Sequence, residues 1–164
     1  MNNEILFSER QQLKQLWIVL LIVIAFLLNY FLHKQYGDEI YFHHLFKMWV
    51  PTYCLTLIAL FFKYIRLDTE IRTDGIYYQF FPFQLKMKKI TWDEIEKIYV
   101  RQYNPIMEYG GWGTRIGLFG KGWALNIAGN NGIQIIFKDS TKRKLLIGTQ
   151  KTEEVKEVLN KLMK

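Results

Sequence analysis

Two long apolar runs near the N-terminus most constrain what this chain can fold into. The first, Leu16–Leu32, is unbroken over 17 residues except for the amide of Asn29, and the second covers Met48–Phe62. A helix that crosses a hydrocarbon layer of roughly 30 Å needs about 20 residues, with a lower limit near 17. A chain of 164 residues is too small to bury two helices that are apolar on every side. The sequence therefore predicts two membrane spans, at about residues 14–33 and 47–65.

The residues around these runs predict an orientation in the membrane. Basic residues flanking the runs number five on the side of the two termini and two in the connecting loop, which favours cytoplasmic termini. Aromatic residues lie near the run ends, as in an interfacial belt: Trp17, Tyr30, Trp49 and Tyr64. No small-x-small cleavage site follows the first run, so it is predicted to be retained. These features predict a multi-pass cell-membrane protein whose first partner is the lipid bilayer.

The loop between the runs contains the three histidines of the chain, His33, His43 and His44. Their spacing does not match a zinc motif, so we predict no metal site. Cys54 is the only cysteine, which excludes an intrachain disulfide.

Residues 66–164 alternate between apolar and polar positions in short segments separated by turn residues, a pattern typical of strands. Asp74-Gly75 is a hairpin signal. A final helix over 152–163 has Thr152 as its N-cap and an apolar stripe that includes Leu159 and Leu162. The predicted strands cover about residues 67–73, 76–81, 85–92, 95–103, 123–128, 133–138 and 144–149.

This order of seven strands and one helix resembles the pleckstrin-homology (PH) fold. Three stretches, Thr69–Ile76, Ile90–Ile95 and Leu145–Glu154, are similar to PH-like domains of bacterial membrane proteins. Tyr103–Gly113 resembles a subfamily with two spans before the domain. The resemblance implies an α+β, mainly β fold: a transmembrane hairpin (1–65), then a cytoplasmic seven-stranded PH-like barrel (66–164) capped by the C-terminal helix. It implies neither a reaction nor a ligand, and the short acidic loop at Asp74-Gly75 departs from phosphoinositide-binding PH domains.

Two groups of residues are candidates for binding. Residues 104–122 contain six glycines, and long loops on a rigid scaffold often carry binding surfaces. The predicted partner-binding residues in and beside this segment are Tyr103, Tyr109, Trp112, Arg115 and Asn126. The alternative is a twisted hairpin in which Trp112 covers the mouth of the barrel. The predicted lipid-facing basic residues are Lys86, Lys88 and Lys89, for which the alternative is a solvated strand face.

The chemistry of residues 66–164 argues against an enzyme, because this part contains no histidine or cysteine to act as base or nucleophile. We predict no cofactor, no small-molecule substrate and no nucleic-acid partner. The predicted function is a membrane-anchored, non-catalytic PH-like interaction module that binds a protein partner or a second copy. One alternative is an accessory subunit of a transporter or envelope complex that acts through its spans, where Asn29 would bond a neighbouring helix. The other is an anionic-lipid sensor that uses the three lysines.

Overall fold

The computed structural model describes residues 4–12, 16–36, 42–117 and 120–162. Within these residues the chain forms two compact units. One consists of two helices, α1 (Leu16–Tyr36) and α2 (Phe42–Tyr64). The other contains all the strands, including one that precedes α1. The helical unit is therefore an insertion between the first and second strands of the sheet unit.

The helical unit is held together by polar and aromatic contacts. The Asn29 amide donates to the Ala25 carbonyl at 2.8 Å and to the Thr52 hydroxyl at 2.6 Å. The Phe26 ring lies 6.0 Å from that of Trp49 and 6.4 Å from that of Tyr53. The polar group of the first apolar run is thus satisfied by its own helix and by α2.

The predicted membrane spans are wrong. Among the described residues, neither helix offers a stretch both long enough and apolar enough to cross a membrane. The first run is at the lower limit of about 17 residues and contains Asn29, and Met48–Phe62 falls below that limit between two lysines. This finding overturns the spans at 14–33 and 47–65, the transmembrane hairpin and the multi-pass cell-membrane location.

The first sheet has four antiparallel strands in the order β1-β2-β3-β4. Their bounds are β1 (Ile5–Gln12), β2 (Arg66–Arg72), β3 (Gly75–Phe81) and β4 (Lys88–Thr91). The tight turn between β2 and β3 requires glycine, because Gly75 has a φ of 149° and a Cβ there would lie 2.2 Å from the Ile90 carbonyl oxygen.

The second sheet has five strands in the order β5-β8-β9-β7-β6. Its pairs are antiparallel except β7 with β9, which are parallel. The bounds are β5 (Ile95–Gln102), β6 (Gly113–Ile116), β7 (Trp123–Asn126), β8 (Asn131–Phe137) and β9 (Leu145–Gly148). A short 3-10 helix, Trp92–Glu94, connects the two sheets, and α3 (Pro105–Tyr109) lies between β5 and β6.

The predicted fold class is also wrong, because the strands form two separate sheets and not one seven-stranded barrel. A strand is present at each of the seven predicted positions, and β1 and β6 are additional. β1 precedes the helical insertion in the sequence and adds a fourth strand to the first sheet. In the second sheet, β9 inserts between β8 and β7. Within the sheet unit, these pairings replace the closed order expected for a PH-like barrel.

The last helix, α4 (Thr152–Leu162), packs against β1 and β5. Each of these strands is an edge strand of its sheet, so α4 covers one side of the sheet pair. Its residues Val155 and Leu159 are buried, whereas Leu162 is only partly buried. The core between the sheets is built from branched and aromatic side chains that are at most 1% exposed: Leu67, Ile71, Ile76, Phe80, Ile133, Ile135 and Ile147. Leu146 lies on the other face of its sheet, in a cluster with Tyr103, Tyr109 and Ala124.

Candidate functional site

The glycine-rich segment between β5 and β7 folds into α3, β6 and their connections. The Asn104 side chain caps α3 by accepting the backbone N–H groups of Ile106 and Met107, at 3.1 and 3.0 Å. Pro105 at the first helical position is compatible with this start. Gly110 ends the helix in the left-handed conformation, with φ at 69°.

Three of the five predicted partner-binding residues are buried in this segment or next to it. Tyr103, Tyr109 and Asn126 are all buried, and the two tyrosine rings meet edge to face at 5.9 Å. The Asn126 amide donates to the Tyr103 hydroxyl at 2.7 Å and accepts from the Gly113 N–H at 2.8 Å. Burial raises the pKa of both tyrosines, which keeps them uncharged. These residues fix the position of β6 and offer little surface to a partner.

The other two, Trp112 and Arg115, are exposed. The Trp112 indole N–H donates to the Gly129 carbonyl at 3.0 Å, so one edge of the ring is fixed while 44% of the residue faces solvent. The Arg115 guanidinium donates to the Trp112 carbonyl at 3.0 Å. We use the name β6 surface for the exposed side chains of this segment: Ile106, Met107, Trp112, Arg115 and Ile116.

An ion pair that the sequence analysis missed holds the start of α3. The Arg101 guanidinium donates to both carboxylate oxygens of Glu108, at 3.2 and 2.8 Å, and the Asn104 N–H donates to the same carboxylate at 3.0 Å. The bonds from Arg101 hold the pKa of Glu108 at about 2. Arg101 is in β5 and Glu108 is in α3, on either side of the Asn104 cap. The periodicity of a sequence predicts strands and helices, but it does not predict an ion pair between a strand residue and a helix residue.

We expect Glu108→Gln to lower the free energy of unfolding by about 1–3 kcal/mol at neutral pH, because charge-assisted hydrogen bonds are lost. The folded-state pKa is depressed, so the contribution of Glu108 is present above its ordinary pKa of 4.5 and is lost as the pH falls toward about 2. Urea unfolding of the wild type and of Glu108→Gln, measured from neutral pH down to about pH 2, should show that the difference between their free energies of unfolding becomes smaller. Glu157→Gln on the exposed face of α4 is the control. An equal difference at all pH values would contradict this assignment.

The three predicted lipid-facing lysines do not form one face. In the pairing of β3 with β4, Lys88 is opposite Tyr78 and Lys89 is opposite Tyr77, so the two lysines point to different sides of the sheet. Lys89 bonds Asp74 at 2.6 Å, and this bond raises the pKa of the lysine. Lys86 lies in the loop before β4. The lipid-sensor alternative thus has a smaller basic surface than the sequence suggests.

The described residues contain no group of three or more His, Cys, Asp or Glu side chains that could hold a metal ion. The side chains of His33, His43 and His44 lie outside the described ones, so the prediction that they bind no metal stays a prediction.

The PH-like resemblance can be located in the structure. Ile90–Ile95 contains the end of β4, the 3-10 helix and the start of β5, so it forms the connection between the two sheets. Leu145–Glu154 contains β9 and the start of α4. The PH-like relationship nevertheless stays a prediction, since comparisons of the chain with protein-family models, curated proteins and solved structures found no match.

Proposed function

We propose that this chain is a non-catalytic interaction module that binds an extended segment of a protein partner along β6. The observation that carries the proposal is the position of this strand at the edge of the five-stranded sheet. Among the described residues, only β7 pairs with it. An edge strand presents N–H and C=O groups that can accept a further strand. Strand addition of this kind is a recurrent mode of peptide recognition.

The side chains around this edge add to the proposal. Trp112 precedes β6 and Ile116 ends it, and the two residues are 44% and 53% exposed. Natural proteins usually protect sheet edges with charged residues, yet Arg115 is the only charge in the four residues of β6. The exposed apolar side chains favour a partner segment that itself carries apolar residues. Because the strand is short, we expect Trp112 to supply much of the affinity.

Two carboxylates of the sheet unit, Glu108 in α3 and Glu94 in the 3-10 helix, support a non-catalytic role. Acid–base catalysis at neutral pH favours a group whose pKa lies near the working pH. Here the bonds from Arg101 lower the pKa of Glu108, and the bond from Lys142 lowers that of Glu94. Both groups are therefore held as ionised partners of basic residues. The alternative of a subunit that acts through membrane spans falls with the spans.

The proposal is tested with peptides selected for binding to the full-length protein from a displayed library. Trp112→Ala should weaken the binding of the selected peptides by about tenfold or more, as expected for a buried aromatic anchor at an interface. Leu85→Ala is the matched control, since Leu85 is an exposed apolar residue, at 78%, in the loop between β3 and β4.

A second variant separates binding from local folding. Trp112→Phe keeps an aromatic ring but loses the N–H that bonds the Gly129 carbonyl. If the ring is the anchor, Trp112→Phe should retain most of the affinity that Trp112→Ala loses. Selected peptides that bind wild type, Trp112→Ala and Leu85→Ala equally would reject the β6 surface as the binding site, provided that all variants unfold at the wild-type temperature.

A further inference from the structure

Among the residues that the structure describes, a cleft of about 510 Å³ lies between the two sheets, on the side of the sheet pair opposite α4. On one sheet it is bounded by Tyr78 of β3 and Lys88 of β4, and on the other by Trp123 of β7 and Phe137 of β8. Arg143, from the turn between β8 and β9, completes its rim. The volume falls within the range of about 300–1,000 Å³ that is typical of small-molecule sites.

The charged residues of this cleft are all basic. Lys88, Lys142 and Arg143 line it, and no aspartate or glutamate does. Lys142 is already bonded to Glu94. Lys88 and Arg143 form no ion pair with any described residue. The cleft therefore presents two cations whose charge is not balanced by the protein.

Much of the cleft wall is apolar and aromatic, and the polar residues Gln84 and Thr114 also line it. Trp123 remains 39% exposed, although its neighbour in the cleft, Leu125, is 2% exposed. Leu145 at 7% and the partly buried Phe137 continue the same wall. Burial raises the pKa of the Tyr78 phenol, which stays protonated and able to donate a hydrogen bond. An apolar body and an anionic group could both be accommodated here.

We infer that this cleft binds an amphipathic anion, with a phosphate or carboxylate head group held by Lys88 and Arg143 and an apolar body against Trp123 and Phe137. Metal ions in proteins are bound mainly by Asp, Glu, His and Cys side chains, and none of these is among the residues that line the cleft. A purely apolar ligand would make no contact that uses the charges of Lys88 and Arg143, which are both exposed. The inference rests on residues other than Trp112, although Thr114 of β6, the strand of the proposed function, also lines the cleft.

The experiment uses full-length protein and anilinonaphthalene sulfonate, an aromatic anion whose fluorescence rises on entering an apolar site. Dodecyl phosphate and dodecanoate should displace this probe, whereas inorganic phosphate and the uncharged dodecanol should displace it at least about tenfold less well, since either part alone loses contacts worth about 1.4 kcal/mol or more. The relative affinities of dodecyl phosphate and dodecanoate then show whether the cleft prefers a phosphate or a carboxylate head group.

The double variant Lys88→Ala and Arg143→Ala should weaken binding of dodecyl phosphate by about tenfold or more, as expected for lost charge-assisted bonds. Lys97→Ala with Lys161→Ala is the control, because it removes equal charge from exposed residues of β5 and α4. Equal losses in both double variants would mean attraction by net charge alone and would overturn the inference. Equal displacement by dodecanol and dodecyl phosphate, or no binding of the probe, would overturn it as well.

Discussion

A chain that lacks residues 1–12 is expected not to fold its sheet unit. The deletion removes β1, which pairs with β2 from Ile5↔Arg72 to Gln12↔Arg66 and buries Phe7 at 5% exposure. It also removes the carboxylate of Glu9, which accepts the Thr149 hydroxyl at 2.6 Å and the Gln150 N–H at 2.8 Å. Domains of this size are stable by only about 5–15 kcal/mol. Losing a whole strand and the two hydrogen bonds that Glu9 accepts should exceed that margin.

The matched control removes the helices and keeps the strand. Gln12 and Arg66 are direct partners in the β1–β2 pairing, so a short glycine-containing hairpin loop can replace residues 13–64. This shortened chain should show a cooperative thermal transition and strand-type circular dichroism, and the chain without residues 1–12 should show neither. A cooperative transition of unchanged midpoint after deletion of residues 1–12 would contradict the role assigned to β1.

The failure to predict β1 from the sequence has a physical cause. Its residues alternate between buried and exposed, as a half-buried strand requires, but the buried ones are Phe7, Glu9 and Gln11. Two of these three are polar, and they are buried because they bond the chain near β9: Gln11 donates to the Gly148 carbonyl, and Glu9 accepts from Thr149. A search for alternating apolar residues cannot detect such a strand, since its partners lie more than a hundred residues away in sequence.

Seven of the other strands were accessible to sequence reasoning, whereas β6 and the arrangement of the strands were not. Alternation and the Asp74-Gly75 turn located β2 and β3, and the apolar stripe around Leu159 located α4. The parallel pairing of β7 with β9 separates this fold from the expected barrel. Pairing between strands that are distant in sequence depends on how the side chains on their faces pack together. Local periodicity of the sequence does not contain this information.

The candidate sites, like the strands, could be predicted from the sequence only in part. Glycine content and aromatic residues indicated the segment that carries the exposed Trp112 and Arg115. The cleft was missed because its lining residues come from both sheets, between Tyr78 and Leu145 in sequence. One available signal was not used: the period of two along β4 separates Lys88, which lines the cleft, from Lys89, which bonds Asp74.

The two sides of the sheet pair differ in how they are closed. On one side, α4 covers the edge strands β1 and β5 with Val155 and Leu159. On the other side, next to β4 and β6, the cleft stays open among the described residues. We therefore expect substitutions on the side of α4 to change mainly the free energy of unfolding. Substitutions on the side of the cleft should change mainly the affinity for the ligand.

Leu159→Ala is expected to lower the free energy of unfolding by about 2–5 kcal/mol, the range for truncating a buried leucine. Leu159 is 3% exposed and lies one turn after Val155, on the face of α4 that packs against β1 and β5. Alanine is the best helix former, so the loss would come from packing and not from helix propensity.

Leu162→Ala is the matched control, since the same truncation at a partly exposed position of the same helix should cost clearly less. Urea unfolding of the two variants and the wild type measures both losses under identical conditions. Binding of the anionic probe in the cleft should be unchanged in folded Leu159→Ala protein, because the substituted side chain lies on the closed side of the sheet pair. Equal losses of stability at Leu159 and Leu162 would show that α4 is not packed into the core.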